Sequence, residues 1–240
     1  MIDQNFIKIY EESFKKYWAQ PALTDYKDKN RLTYGQLAHE IARIHLMLEE
    51  LGIEKGDKVA LIGKNHSTWS LVFLATITYG AVIVPILHEF NAESMHHIIE
   101  QSDSKCAFIN YAIWPTLDHD KISVPSVSIP SFDLLKSNNQ LHTDLMKRVD
   151  SKFNEKYPNG FVKDNIRYAE VDNSEVVCIN YTSGTTGFSK GVMLTANNYA
   201  GNVTYAHTLE LLHPGEKDLA FLPMAHAYGC AFDFLYALSN

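Results

Sequence analysis

The sequence predicts an α/β fold, with largely parallel sheets covered by helices. Three observations carry this expectation. Helical apolar periodicity alternates with short apolar runs at the spacing of strand–helix–strand units. The interiors of the runs Lys58–Ile62, Ala81–Ile86 and Cys106–Asn110 are apolar rather than alternating, as strands buried on both faces are. The 24 residues from Asn65 to His88 carry no Asp, Glu, Lys or Arg, but Gly80 and Pro85 divide them into a helix and a strand instead of one membrane span.

The elements follow in order. Ile2, Phe6, Ile9, Tyr10, Phe14 and Tyr17 recur at helical spacing, and Pro21 follows the end. Ala22–Tyr26 and Arg31–Thr33 flank a polar turn. Thr33 stands three residues before Gln36, a capping-box spacing, and Leu37, Ile41, Ile44, Leu48 and Leu51 continue one helical face to Gly52. A strand over Lys58–Ile62, a helix over Ser67–Tyr79 and a strand over Ala81–Ile86 come next. Asn91–Gln101 reads as a helix and Cys106–Asn110 as a strand. Residues 111–172 are more polar and weakly periodic, with a strand near Ser126–Ile129 and a helix near Asp144–Lys156. Val176–Tyr181 is a strongly apolar strand. Thr195 is placed to cap a helix to about Leu211, with Tyr199, Val203, Ala206 and Leu209 inward and Pro214-Gly215 closing it. Leu219–Leu222 reads as a further strand.

Composition narrows the classes. Of 240 residues, 46% are apolar and 12% aromatic, which excludes a disordered chain. Three widely spaced cysteines without a CxxC pair argue against a disulfide scaffold and for a reducing, cytoplasmic setting. The net charge of -7 and the lack of a Lys/Arg cluster argue against nucleic acid as a partner. No apolar core follows the charged N-terminal residues, so no signal peptide is read there, and no transmembrane segment is expected. Peripheral contact with a membrane stays open.

The chemistry concentrates in Tyr181-Thr-Ser-Gly-Thr-Thr-Gly-Phe-Ser-Lys-Gly-Val192. Gly184, Gly187 and Gly191 permit close approach of backbone to a ligand. Thr182, Ser183, Thr185 and Thr186 supply hydroxyls, and Lys190 supplies a charge. Amide N–H groups, hydroxyls and a lysine together suit a polyphosphate. The order of residues is not that of a Walker A loop, which needs Gly-Lys-Ser/Thr. The competing reading is a Ser/Thr/Gly-rich surface turn. The apolar strand before the loop and the lysine at its far end favour phosphate.

These twelve residues resemble the phosphate loop of the adenylate-forming superfamily of acyl-CoA synthetases, luciferase and peptide-synthetase adenylation domains. The resemblance extends to Leu32-Thr-Tyr-Gly-Gln-Leu, Gly52-Ile-Glu-Lys-Gly-Asp-Lys-Val-Ala-Leu, Tyr79-Gly-Ala-Val-Ile-Val-Pro85 and Leu222-Pro-Met-Ala-His-Ala-Tyr-Gly229. One departure is Ser189, where many members carry Pro. It bears on loop rigidity rather than on contacts.

The resemblance implies a two-step ligase in the full-length protein. A fatty acid carboxylate attacks the α-phosphate of MgATP to give an acyl-adenylate and pyrophosphate, and coenzyme A then takes the acyl group as a thioester. It implies nucleotide contacts for Thr182, Ser183, Gly184, Thr185, Thr186, Gly187 and Lys190, with Lys190 and His226 catalytic. It places His226, Tyr228 and Gly229 at the acyl substrate. Aryl- or amino-acid activation, and a phosphate-binding module without catalysis, are the alternatives. Phe232-Asp233 is where an amino-acid-activating member would be sought, but it falls seven residues after His226. The small residues Gly229, Cys230 and Ala231 either leave room for an acyl tail or let a helix pack closely. His96-His97 and His88-Glu89 lack the pattern of a zinc motif and read as solvated faces.

Residues 1–240 are thus expected to be the N-terminal part of an AMP-binding large domain. About 1–175 would form a first α/β subdomain, with a variable stretch at 111–172, and about 176–240 the phosphate loop and the start of the next. The adenine, ribose and coenzyme A motifs do not occur in the sequence, and it ends within the apolar stretch Phe232–Leu238. The 240 residues alone are therefore expected to be inactive and to expose that stretch.

Overall fold

The computed structural model describes residues 4–27, 29–182 and 189–239. Helix α1 (Phe6–Lys16) is capped by the Asn5 side chain, which accepts from the Ile7 and Lys8 amides. Strands β1 (Pro21–Thr24) and β2 (Arg31–Thr33) form a separate antiparallel pair. Helix α2 (Tyr34–Glu50) begins with the expected Thr33–Gln36 capping box, and Gly52 beyond its end has φ +76°. At the other end Glu50 is shielded from solvent and ion-paired with Arg148 and Lys152.

Strand β3 (Lys58–Ile62), helix α3 (Ser67–Tyr79), strand β4 (Val82–Ile86), helix α4 (Ala92–Gln101) and strand β5 (Ser104–Asn110) follow. Strands β6 (Ser126–Ile129) and β7 (Leu134–Lys136), helix α5 (Leu145–Lys156), strands β8 (Val176–Thr182) and β9 (Lys190–Thr195) and helix α6 (Ala196–Thr208) complete the regular elements. A turn of α-helix, Ala227–Gly229, runs into a π-helix, Cys230–Tyr236.

The main sheet has the order β7-β6-β5-β3-β4-β8-β9. Its inner strands β6, β5, β3, β4 and β8 are parallel, and β7 and β9 are antiparallel edges. Alternate residues of each strand serve opposite faces. Val59, Leu61 and Phe108 join a large core with α1, α2, α3, α5, α6 and the π-helix. Ala60, Ile62, Val84, Ile86 and Ile109 meet Met95, Ile98 and Ile99 of α4 on the other face. Helix α3 is buried over nearly its whole surface, and Gly80 at φ +90° turns the chain from it into β4. That explains the charge-free run without a bilayer. Among the described residues no helix is long and apolar enough to cross a membrane.

Several expectations are corrected. Residues 190–195 form a strand, where the sequence predicts a loop as far as Lys190 and no element over 191–194; the apolar run Val192-Met-Leu194 is only three residues long and follows Gly191. Leu219–Leu222 forms no strand. Its apolar residues find no sheet partner, and Leu219 and Phe221 are exposed. Helix α6 stops at Thr208, because Glu210 takes a positive φ of 49°, and Leu209 is exposed rather than inward. His96 is buried, not solvated. The stretch Phe232–Leu238 is largely covered: Phe234 packs against Trp69 and Phe73, with centroids 6.1 and 5.5 Å away.

Candidate functional site

The topology marks one edge of the sheet. The loop after β3 leads to α3 on one face, and the loop after β4 leads to α4 on the other. Neighbouring parallel strands whose loops diverge in this way open a crevice at their carboxyl ends, where ligands of open α/β sheets bind. The carboxyl ends of β3, β4 and β8 lie side by side there.

β8 and β9 form a hairpin in which Thr182 pairs with Lys190. Thr182 and Lys190 therefore stand side by side at the crevice end of the hairpin. Ser183, Gly184, Thr185, Thr186 and Gly187 lie outside the described residues. Lys190 is exposed and has no carboxylate partner among the described residues, so its charge is available to an anion. Gly191 faces Tyr181, and a Cβ there would come within 3.1 Å of the Tyr181 ring and 3.0 Å of Ile179. The start of α6 does not lie beside Lys190. Thr195 pairs with Val176, at the far end of the hairpin. The five residue steps of β9 from Lys190 to Thr195 span roughly 17 Å.

His226 reaches the same end by a different route. The segment before it has no strand partner, and two asparagine side chains carry it. Asn65, in the loop after β3, donates through Nδ2 to the carbonyls of Ala220 (3.0 Å) and Leu222 (2.7 Å). Its Oδ1 accepts from the Met224 amide at 2.9 Å. Asn180, near the end of β8, donates through Nδ2 to the Ala225 carbonyl at 3.0 Å, while its Oδ1 accepts from the Cys178 thiol at 2.9 Å. The exposed His226 then starts the helical turn, its amide donating to Pro223 O at 2.9 Å. Tyr228 is exposed with its ring 4.8 Å from that of Phe232, and Gly229 is buried.

The structure thus brings Lys190, Thr182, His226 and Tyr228 to one end of β8. A Cβ on Gly229 would lie 2.7 Å from the Pro223 carbonyl oxygen, so its smallness serves close packing of the turn. Burial raises the Asp233 carboxyl above the usual range, opposed by the Leu222 backbone and aided by Asp218, and Asp233 Oδ2 is buried with no hydrogen-bond partner among the described residues. Sequence reading missed Asn65 and Asn180. Asn180 had a signal, a lone amide inside an apolar strand, since a buried polar group requires partners. Asn65 had none beyond opening the uncharged run. Two surface cavities, about 650 Å³ beside Ser123 and Asn139 and about 460 Å³ beside Trp18 and Gln36, contain none of these residues. Among the described residues no three His, Cys, Asp or Glu side chains converge on a metal position.

A largely parallel sheet with Thr182, Lys190 and the His226 turn at its carboxyl edge has the fold of the N-terminal domains of adenylate-forming enzymes. The chain belongs to the AMP-binding enzyme family, whose model matches residues 10–240. It is 29% identical over 248 residues to the long-chain-fatty-acid–acyl-carrier-protein ligase AEE15 of Arabidopsis thaliana, covering 94% of this chain and 33% of that one. The structure of the anthranilate CoA ligase AuaEII with anthranoyl-AMP superposes with a TM-score of 0.80 at 16% identity, over 98% of this chain and 42% of that one. The N-terminal domain of FACL13 from Mycobacterium tuberculosis, inhibitor bound, gives a TM-score of 0.76 at 23% identity, over 98% and 55%. The two structures speak to the fold. The chain spans about a third to a half of the length of the curated relatives it matches.

Proposed function

We propose that the full-length protein activates a fatty acid: the carboxylate attacks the α-phosphorus of ATP, pyrophosphate leaves, and the acyl group passes from the adenylate to coenzyme A. The observation that carries this reading is the placement of Thr182 and Lys190 at the same end of β8 as the segment that leads to His226. Two anions must meet for the first step. A cation and preorganised donors offset the negative charge that builds on the phosphoryl oxygens. Thr182, Ser183, Gly184, Thr185, Thr186, Gly187 and Lys190 are assigned to the β- and γ-phosphates. His226, with Tyr228 beside it, is assigned to the carboxylate side. Magnesium would enter with ATP, and no ligand for it is assigned to this chain.

The fatty acid is favoured by relatives named as long-chain fatty acid ligases. The small residues at 229–231 lend no support, since Pro223 fills the space at Gly229. The test is acid-dependent pyrophosphate exchange by the full-length protein with fatty, aromatic and amino acids. Exchange with fatty acids is expected. Exchange with another class alone would replace the substrate, and ATP binding without exchange for any acid would leave a binding module.

A further inference from the structure

We propose that Asn65 and Asn180 are positioning residues that together set where His226 stands over the crevice. The inference rests on the functional reading above for its kinetic consequences only. Its structural basis is independent. The carbonyls of Ala220, Leu222 and Ala225 and the amide of Met224 all bond to these two side chains. A segment without a strand ladder has its backbone polar groups satisfied by side-chain amides instead. The two amides come from different strand ends, β3's loop and β8, so they fix the segment from both sides of β4.

The residue type is specific. At Asn65 one planar group must donate twice and accept once, which an amide does and a carboxylate or an aliphatic side chain does not. At Asn180 the Cys178 thiol holds Oδ1, which leaves Nδ2 aimed at Ala225. Asn180 also lies two residues before Thr182, so one strand supports both the phosphate loop and the histidine turn. Loss of either amide should therefore displace His226 while the remote core stays in place. Met224 and Phe234 remain packed against the α3 side chains Ser70, Trp69 and Phe73.

The experiment compares Asn65→Ala, Asn180→Ala and, as a control for general loss of stability, Glu50→Gln at the distant α2–α5 contact, all in the full-length protein. In pyrophosphate exchange both asparagine variants should raise the KM for the acid about ten- to hundredfold and leave the KM for ATP within about twofold. Glu50→Gln should change neither. In parallel, NMR of histidine labelled in the ring, with His226→Ala for assignment, should show the His226 signal displaced in both asparagine variants and those of the half-buried His45 and the buried His142 unmoved. Unchanged acid KM and an unmoved His226 signal overturn the proposal. Equal rises in both KM values, matched by Glu50→Gln, also overturn it. Should an alanine variant not fold, Asn65→Asp, equal in size but without the two donors, is held to the same criteria. If the unmodified protein exchanges no acid, the functional reading has failed, and displacement of the His226 signal alone decides the positioning role.

Discussion

The Tyr10 hydroxyl donates to the Leu235 carbonyl across 3.1 Å, joining residues 225 apart in sequence. Ser13 makes the companion bond to the Leu238 carbonyl at 2.8 Å. Both bonds tie α1 to the segment that holds the π-helix Cys230–Tyr236, where Leu235 and Leu238 are buried. Helix α1 is thereby part of the support beneath the His226 turn.

Tyr10→Phe removes the donor and keeps the ring, which stacks edge-on with Phe6 at 5.3 Å. A buried carbonyl left unpaired costs about 1–3 kcal/mol. Urea unfolding should show a loss in that range with an unchanged slope. A variant as stable as the parent would remove the bond from the account.

His45 predicts a pH dependence. Its half-buried ring sets Nε2 3.1 Å from the Ala75 carbonyl and 3.0 Å from Thr78 Oγ1. Burial lowers its pKa from 6.5 to about 4; the Ala75 carbonyl opposes this and Lys156 adds to it. The folded value lies below the unfolded one, so the unfolded chain takes up the proton first as pH falls. Stability should be full above pH 6.5 and decline between pH 6.5 and 4, by about 3 kcal/mol from this group. His96 and His207, also lowered by burial, act in the same sense. His45→Gln should make the decline between pH 6.5 and 5 shallower, as read from unfolding curves at several pH values. Identical slopes would show that His45 is not the group responsible.

Much of the fold was legible because the signals were local. The Thr33–Gln36 box, Gly52, Gly80 and the apolar strands β3 and β4 each announce themselves within a few residues. What failed was partnership. β9 is a strand because β8 offers it an edge, and Leu219–Leu222 is not one because no edge meets it. The site divides the same way. Lys190 and His226 stand in dense local motifs, whereas Asn65 acts on residues 155 to 159 positions away, and no spacing encodes that.

Lys190 is exposed at the crevice end of the hairpin and has no described carboxylate partner. Lys190→Ala should slow adenylate formation and weaken ATP binding. One charge-assisted contact is worth about 1.5–3 kcal/mol, which converts to tens- to hundredfold. The thermal midpoint should not move, since an exposed edge-strand lysine contributes little to packing. Unaltered ATP-dependent kinetics in this variant would contradict its assignment to the phosphates.

Two glycines allow one substitution to be tested with opposite signs. A Cβ at Gly201, within α6, would meet nothing within 4 Å. Gly201→Ala should therefore stabilise by about 0.5–1 kcal/mol, the helix-interior difference between the two residues. A Cβ at Gly229 would stand 2.7 Å from the Pro223 carbonyl oxygen and 3.2 Å from its carbon. Both are backbone atoms, so no rotamer change relieves the contact. The segment on one side is held by Asn65 through Leu222 and Met224, and the helix on the other by Phe234 between Trp69 and Phe73. Neither can yield without breaking these contacts, so Gly229→Ala should destabilise by about 1–3 kcal/mol. It should also raise the KM for the acid, because the turn that yields carries His226. Urea unfolding of the two variants side by side is the measurement. A stabilised or neutral Gly229→Ala would mean that the His226 turn is loosely held, and the positioning argument built on it would fall with it.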